Sequence, residues 1–210
     1  PLVYHGARIS DEHDRGTMEL ILVRHGLPER QVVEEGRADP PLSDTGHAQA
    51  AAVADWLMPE SVDAVYSSTM LRARQTALPY AEQKGMAIIE REGIVEFDRH
   101  SSSYIPVEEL KKEDPEAWRA LAEGGYSDEV DLHEFHASVV NTLEQIIAAH
   151  SSETVVVFCH GGVINIWTAH LLGLGPSMFF EPKYTCVNRY LCARTGQRNL
   201  VSLNETAHLR

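Results

Sequence analysis

Three apolar runs in this 210-residue chain end on residues that do not suit a core. Leu20-Ile21-Leu22-Val23 runs into Arg24-His25-Gly26, TVVVFC at 154–159 runs into His160-Gly161-Gly162, and Ala64-Val65-Tyr66 runs into Ser67-Ser68 and on to Arg72. A guanidinium or imidazole at the tip of a buried strand needs partners. Brought together, these side chains have a defined chemistry. Two guanidinium forks suit bidentate contact with a phosphoryl or carboxylate group. Gly26 and Gly161 let backbone N–H groups approach an anion, and helices opening after Ser68 and Gly162 would point their positive ends there. One neutral imidazole can attack phosphorus while a second donates to the transferring group. The surrounding positive charge lowers a histidine pKa and keeps the nucleophile unprotonated near neutrality. The chemistry is phosphoryl transfer through a phosphohistidine, and it requires neither a metal nor another cofactor.

The elements around these residues supply a reason for them to meet. Strand-like runs at 20–23, 64–66, 88–90 and 154–159 alternate with helical stretches at 43–57, 70–84, 132–151 and 163–172. Ser43 or Asp44 is the N-cap of the first helix, and Phe135, Val139, Leu143, Ile146 and Ile147 form one apolar face of the third. The tail predicts a hairpin from 184–193 and 199–204. This alternation predicts an α/β fold: a three-layer sandwich with a mostly parallel central sheet flanked by helices. In such sheets the sites collect beyond the carboxyl ends of the strands, where all three unusual endings fall. Residues 1–17 read as a flexible leader, and 18–210 as one domain. Within it, 98–131 is polar, serine-rich and then acidic, and reads as an insertion over the site.

Composition narrows the classes. With 31 acidic against 18 basic residues, the net charge of −13 argues against a nucleic-acid or anionic-membrane partner. No apolar run approaches the roughly 18 residues of a membrane span. Three scattered cysteines, Cys159, Cys186 and Cys192, give no disulfide framework and point to a reducing, cytoplasmic location. Cys159 reads as packing. His133 and His136 stand three apart, not at the i, i+4 spacing of a zinc helix, and read as surface residues beside Phe135.

Four blocks in order, RHG at 24–26, PLSDTGHAQA at 41–50, YSSTMLRARQTA at 66–77 and CHGGVINIW at 159–167, resemble the histidine phosphatase superfamily, the phosphoglycerate mutase-like group. The resemblance covers the chain from Met18 to its end and implies that fold. It implies His25 as the phosphorylated nucleophile, Arg24 and Arg72 as phosphate-binding arginines, and His160 as the histidine that contacts the phosphoryl oxygens. It also implies a general acid within GIVEFD, which makes Glu96 the first choice and Asp98 the second. Glu96 would protonate the leaving oxygen and then help water attack the phosphohistidine.

The chain departs from the RHGxTxxN pattern, with Pro28 in the threonine slot and Gln31 in the asparagine slot. Gln31 can still donate to a phosphate oxygen, whereas Pro28 cannot. This departure favours the phosphatase branch: hydrolysis of a phosphorylated small molecule, with inorganic phosphate as product. A phosphoglycerate mutase-type phosphotransferase and a non-catalytic phosphometabolite-binding relative are the alternatives. Arg99, His100 and Tyr104 in the insertion are the candidates for contact with the leaving group. Asn165 reads as a local hydrogen-bonding residue, and Phe179-Phe180 as an interface between two copies or a lid over the site.

Overall fold

The structure is a computed structural model that describes residues 16–122 and 131–210. Residues 1–15 of the expected leader and 123–130 of the expected insertion lie outside these.

A six-stranded sheet organises the chain. β1 (Thr17–Arg24), β3 (Ala64–Ser68), β4 (Ile88–Arg91) and β6 (Thr154–Cys159) are parallel, in the order β4-β3-β6-β1. β7 (Val187–Ala193) and β8 (Arg198–Glu205) extend it antiparallel beyond β1 as the expected hairpin. Successive strand residues face opposite layers. Ile21, Val23, Val156 and Phe158 pack against α1 (Asp44–Leu57) and α2 (Leu71–Lys84). Leu20, Leu22, Val155 and Val157 pack against α5 (Leu132–Ala149) and α6 (Gly161–Leu171). Strands buried on both faces read as continuous apolar runs, which is why LILV and TVVVFC lack polar alternation. The three-layer sandwich with a mostly parallel sheet is the observed fold.

Several boundaries shift, β7 for one beginning at Val187 and not at 184, and α5 ending at Ala149 and not at 151. β1 begins at Thr17, which pairs with Ala193, and Met18 is buried opposite Cys192, so Thr17 belongs to the sheet and not to the leader. α6 begins at Gly161, with His160 as N-cap, so both glycines form its first turn.

Register brings the strand ends together. Arg24 lies opposite Cys159 and Ser67 opposite Phe158. The His25 N–H donates to the Cys159 carbonyl at 2.9 Å, so the chain leaves β1 and β6 side by side. Over this edge lies the excursion. β5 (Ser103–Tyr104) pairs with β2 (Gln31–Val32), and α3 (Val107–Glu113) and α4 (Pro115–Ala122) follow. Ion pairs hold it in place, from Arg30 to Glu113 at 2.7 Å and from Lys111 to Glu181 at 2.6 Å.

Candidate active site

His25 is fixed by its own neighbour. Its Nδ1 lies 2.8 Å from the Gly26 carbonyl, an acceptor only, so Nδ1 carries the proton and Nε2 keeps its lone pair. Gly26 is required because a Cβ there would lie 2.6 Å from the Gly46 carbonyl oxygen of α1. The Gly26 N–H donates to Thr76 Oγ1 at 3.0 Å, and that hydroxyl donates to the Arg72 carbonyl at 2.7 Å. The tripeptide is thereby held between α1 and α2. Burial, with Arg72 and Arg24 nearby, holds the imidazole pKa well below its usual value, so the ring is neutral.

Both arginines are buried, each over a tyrosine ring. Arg24 stacks 4.0 Å above Tyr184 and donates from Nη1 to the Pro182 carbonyl at 2.5 Å. Arg72 lies 4.7 Å from the Tyr104 ring centre and donates from Nη2 to Asp98 at 3.1 Å. Arg24 Nε and Arg72 Nε and Nη1 have no hydrogen-bond partner among the described residues. Buried guanidinium nitrogens left without hydrogen-bond acceptors can clamp an anion. The amino end of α2 does not join it. The Leu71 N–H donates to both oxygens of Asp39, at 3.0 and 3.2 Å, so the chain's own carboxylate caps that helix.

His160 is fully buried, its ring centre 5.2 Å from that of His25 and its Nε2 2.8 Å from Ser68 Oγ. Burial and the positive charge of Arg72 push its pKa well down as well. Glu96 reaches the site behind the buried pair Ile94-Val95, on a turn held to α5 by Ser138 Oγ donating to the Gly93 carbonyl at 3.1 Å. Its oxygens accept from the Gly162 N–H at 2.9 Å and the Phe97 N–H at 3.1 Å. Burial and the neighbouring Asp98 push its pKa up to about 7, against the pull of those N–H groups and Arg72. A Cβ on Gly162 would lie 2.0 Å from Glu96 Oε1. The second glycine is therefore the one that seats the acid, and Gly161 lines the cavity beside Arg24.

The cavity measures about 410 Å³ and contains Arg24, His25, Arg72, Glu96, Asp98 and Tyr104. Its outer wall is largely apolar, with Ile105, Leu110 and Trp118 from the excursion and Met178, Phe179 and Phe180 from the loop after α6. Phe179 and Phe180 thus form part of the wall, and Phe179 remains 41% exposed. Asn165 holds both there: Nδ2 donates to the Gly161 and Phe180 carbonyls at 3.0 Å, and Oδ1 accepts from the N–H groups of Phe179 at 2.9 Å and Phe180 at 3.1 Å.

Of the expected residues, His160 is fully buried and is not among those lining the cavity, and three more are directed elsewhere. Gln31 turns to the Asp39 N–H at 2.8 Å and holds the loop that caps α2. Arg99 is taken by Glu134 at 3.2 Å and by its neighbour His100 at 3.1 Å, and His100 is exposed. Tyr104 does reach it, under Arg72, because β5 pairs across to Gln31. Sequence reasoning missed the roles of Pro182 and Tyr184, and it placed Tyr184 in a strand, whereas 184–185 is a turn and β7 begins at Val187. Cys159 packs as expected, and burial pushes its thiol pKa well up.

A neutral histidine with a defined free nitrogen, two buried guanidinium groups that keep nitrogens without hydrogen-bond partners and a carboxyl with a pKa of about 7 can together pass a phosphoryl group through nitrogen. The protein is a phosphohydrolase of the histidine type. The chain belongs to the histidine phosphatase superfamily (branch 1), whose family model matches residues 20–206. It is 35% identical over 201 residues to phosphoserine phosphatase 1 of Hydrogenobacter thermophilus, covering 91% of this chain and 94% of that protein. It is 31% identical over 160 residues to the metal-independent phosphoserine phosphatase of Arabidopsis thaliana, covering 70% of this chain and 66% of that protein. A phosphoserine phosphatase mutant from Entamoeba histolytica, solved in complex with phosphoserine, superimposes with a TM-score of 0.71 at 25% identity, over 92% of this chain and 100% of that one.

Proposed function

We propose that the protein hydrolyses the phosphate monoester of a small hydroxyl metabolite of the phosphoserine class, by way of a phosphohistidine at His25 Nε2. The observation that carries this reading is the commitment of His25 Nδ1 to the Gly26 carbonyl, which leaves Nε2 free in the cavity that Arg24 and Arg72 also line, each with at least one nitrogen that lacks a hydrogen-bond partner among the described residues. The Nε2 lone pair attacks phosphorus, the bond to the ester oxygen breaks, and the Glu96 carboxyl gives its proton to that oxygen. The Glu96 carboxylate then takes a proton from water, the water oxygen attacks phosphorus, and the N–P bond breaks to release inorganic phosphate. Arg24, Arg72 and His160 hold the equatorial oxygens through both steps, where charge is spread over them. The substrate class follows the relatives named phosphoserine phosphatases.

The test is phosphate release from phosphoserine, phosphoglycerates and sugar phosphates with EDTA present. Activity on phosphoserine that vanishes in His25→Ala is the expected result. Activity retained in His25→Ala sinks the phosphohistidine, and preference for another ester by more than about tenfold in kcat/KM sinks the substrate class.

A further inference from the structure

We infer that Ser68 is a positioning residue, whose hydroxyl holds His160 as the Nδ1–H tautomer and so places the ring's single proton on the nitrogen that has no partner among the described residues. The inference rests on the phosphatase reading above, in which His160 is a donor to the transferring group.

A neutral imidazole has one N–H, so which nitrogen carries it decides whether His160 attracts or repels an oxyanion. Ser68 ends β3, and the β3–β6 pairing sets it beside the end of β6. Its Oγ is 2.8 Å from His160 Nε2 and accepts from the Met70 N–H at 3.2 Å. The adjacent Ser67 does not share this role, since its hydroxyl donates to the Ser68 carbonyl at 2.9 Å. Ser68 is fully buried, so its hydroxyl proton needs an acceptor inside the protein.

Two arrangements are possible across the 2.8 Å contact. With the proton on Nε2, the ring donates to Ser68 Oγ. The hydroxyl proton then has no acceptor among the described residues, and Nδ1 is left with a buried lone pair and no donor. With the proton on Nδ1, the hydroxyl donates to Nε2, every group at Ser68 is satisfied, and Nδ1–H is left as a donor. Nδ1 is the His160 nitrogen that has no partner among the described residues. Burying an unmade hydrogen bond is the costly option, so the second arrangement prevails.

The test is a long-range proton–nitrogen NMR spectrum of the full chain with ¹⁵N-labelled histidines, with and without inorganic phosphate, the His160 ring being assigned through its Cβ. A neutral ring protonated at Nδ1 is expected. A proton on Nε2, or on both nitrogens, overturns the inference. In Ser68→Ala the ring should become a mixture of tautomers and kcat should fall about 10- to 100-fold with KM within about threefold, while Ser68→Thr keeps most of the rate. An alanine variant that retains a pure Nδ1–H ring also overturns it. Should that variant fail to fold, the wild-type spectrum decides alone. The spectrum needs no turnover, so a protein inactive on every ester would defeat the phosphatase reading without touching the tautomer.

Discussion

Glu96 and Asp98 stand two residues apart in GIVEFD and meet opposite fates. Asp98 is drawn to Arg72, while Glu96 is buried against Gly162 and pushed up to about 7. The protonated carboxyl is the form that can donate to a leaving oxygen, and with a pKa near 7 most of it is present below that pH. As pH rises through 7 the active fraction falls tenfold per unit, so kcat/KM should bend down near pH 7. An ordinary carboxyl would already have lost its proton by pH 6. Glu96→Gln should cost about 10²- to 10⁴-fold in kcat and abolish the alkaline limb. A limb that survives in Glu96→Gln would assign it to another group. Arg24, His25 and His160 were legible because each stands where an apolar run stops, a local signal, and Arg72 because it falls in the block at 66–77 that resembles the family. Tyr184 and Pro182 touch Arg24 from 160 and 158 positions away along the chain, and nothing in their own neighbourhood announces it.

α6 does more than pack, because its first turn is part of the site. Gly162 gives Glu96 its N–H and also the space it occupies, since an alanine Cβ would lie 2.0 Å from Oε1 and 2.9 Å from Met178 and Phe97. These neighbours are side-chain ends that can yield, so Gly162→Ala should fold and should misplace the acid. We expect a fall of about 10²-fold in kcat with a small change in melting temperature. An unchanged kcat would mean that Glu96 is not held by this contact. One turn on, Asn165 ties α6 to the cavity wall through four hydrogen bonds. Asn165→Leu keeps the volume but strands the Phe180 carbonyl and two N–H groups, and should cost about 2–4 kcal/mol in urea unfolding, with a raised KM from a loosened wall. The helix itself was legible from its apolar run. The reach of Asn165 to Phe179 and Phe180 was not, since Asn side chains make local bonds at such positions as readily as distant ones.

At the scale of the whole molecule, the three-layer arrangement was readable because buried parallel strands are long apolar runs separated by helices. The excursion was readable only as a change in composition. β2 and β5 are two residues each, too short to show a period of two, so neither their pairing nor the delivery of Tyr104 to Arg72 could be foreseen. The assembled site also sets how the fold responds to acid. His25 and His160 have native pKa values held well below 6.5, by burial and by the positive charge of Arg72 and Arg24. In the unfolded chain both regain a value near 6.5, so below that pH the unfolded state binds more protons and stability falls as pH drops. Glu96 works in the opposite sense, since its native pKa of about 7 stands above its unfolded value and its contribution is lost as pH rises through 7. Between about pH 6.5 and 5 the two histidines outnumber the single glutamate, and each costs up to about 1.4 kcal/mol per pH unit. His160→Gln cannot take up that proton. Urea unfolding of wild type and His160→Gln at pH 7.5, 6.5, 5.5 and 5.0 should therefore show their stability difference moving in favour of the variant on acidification. A constant difference over that range would mean that the native ring titrates as freely as the unfolded one, and the electrostatics assigned to this site would be wrong.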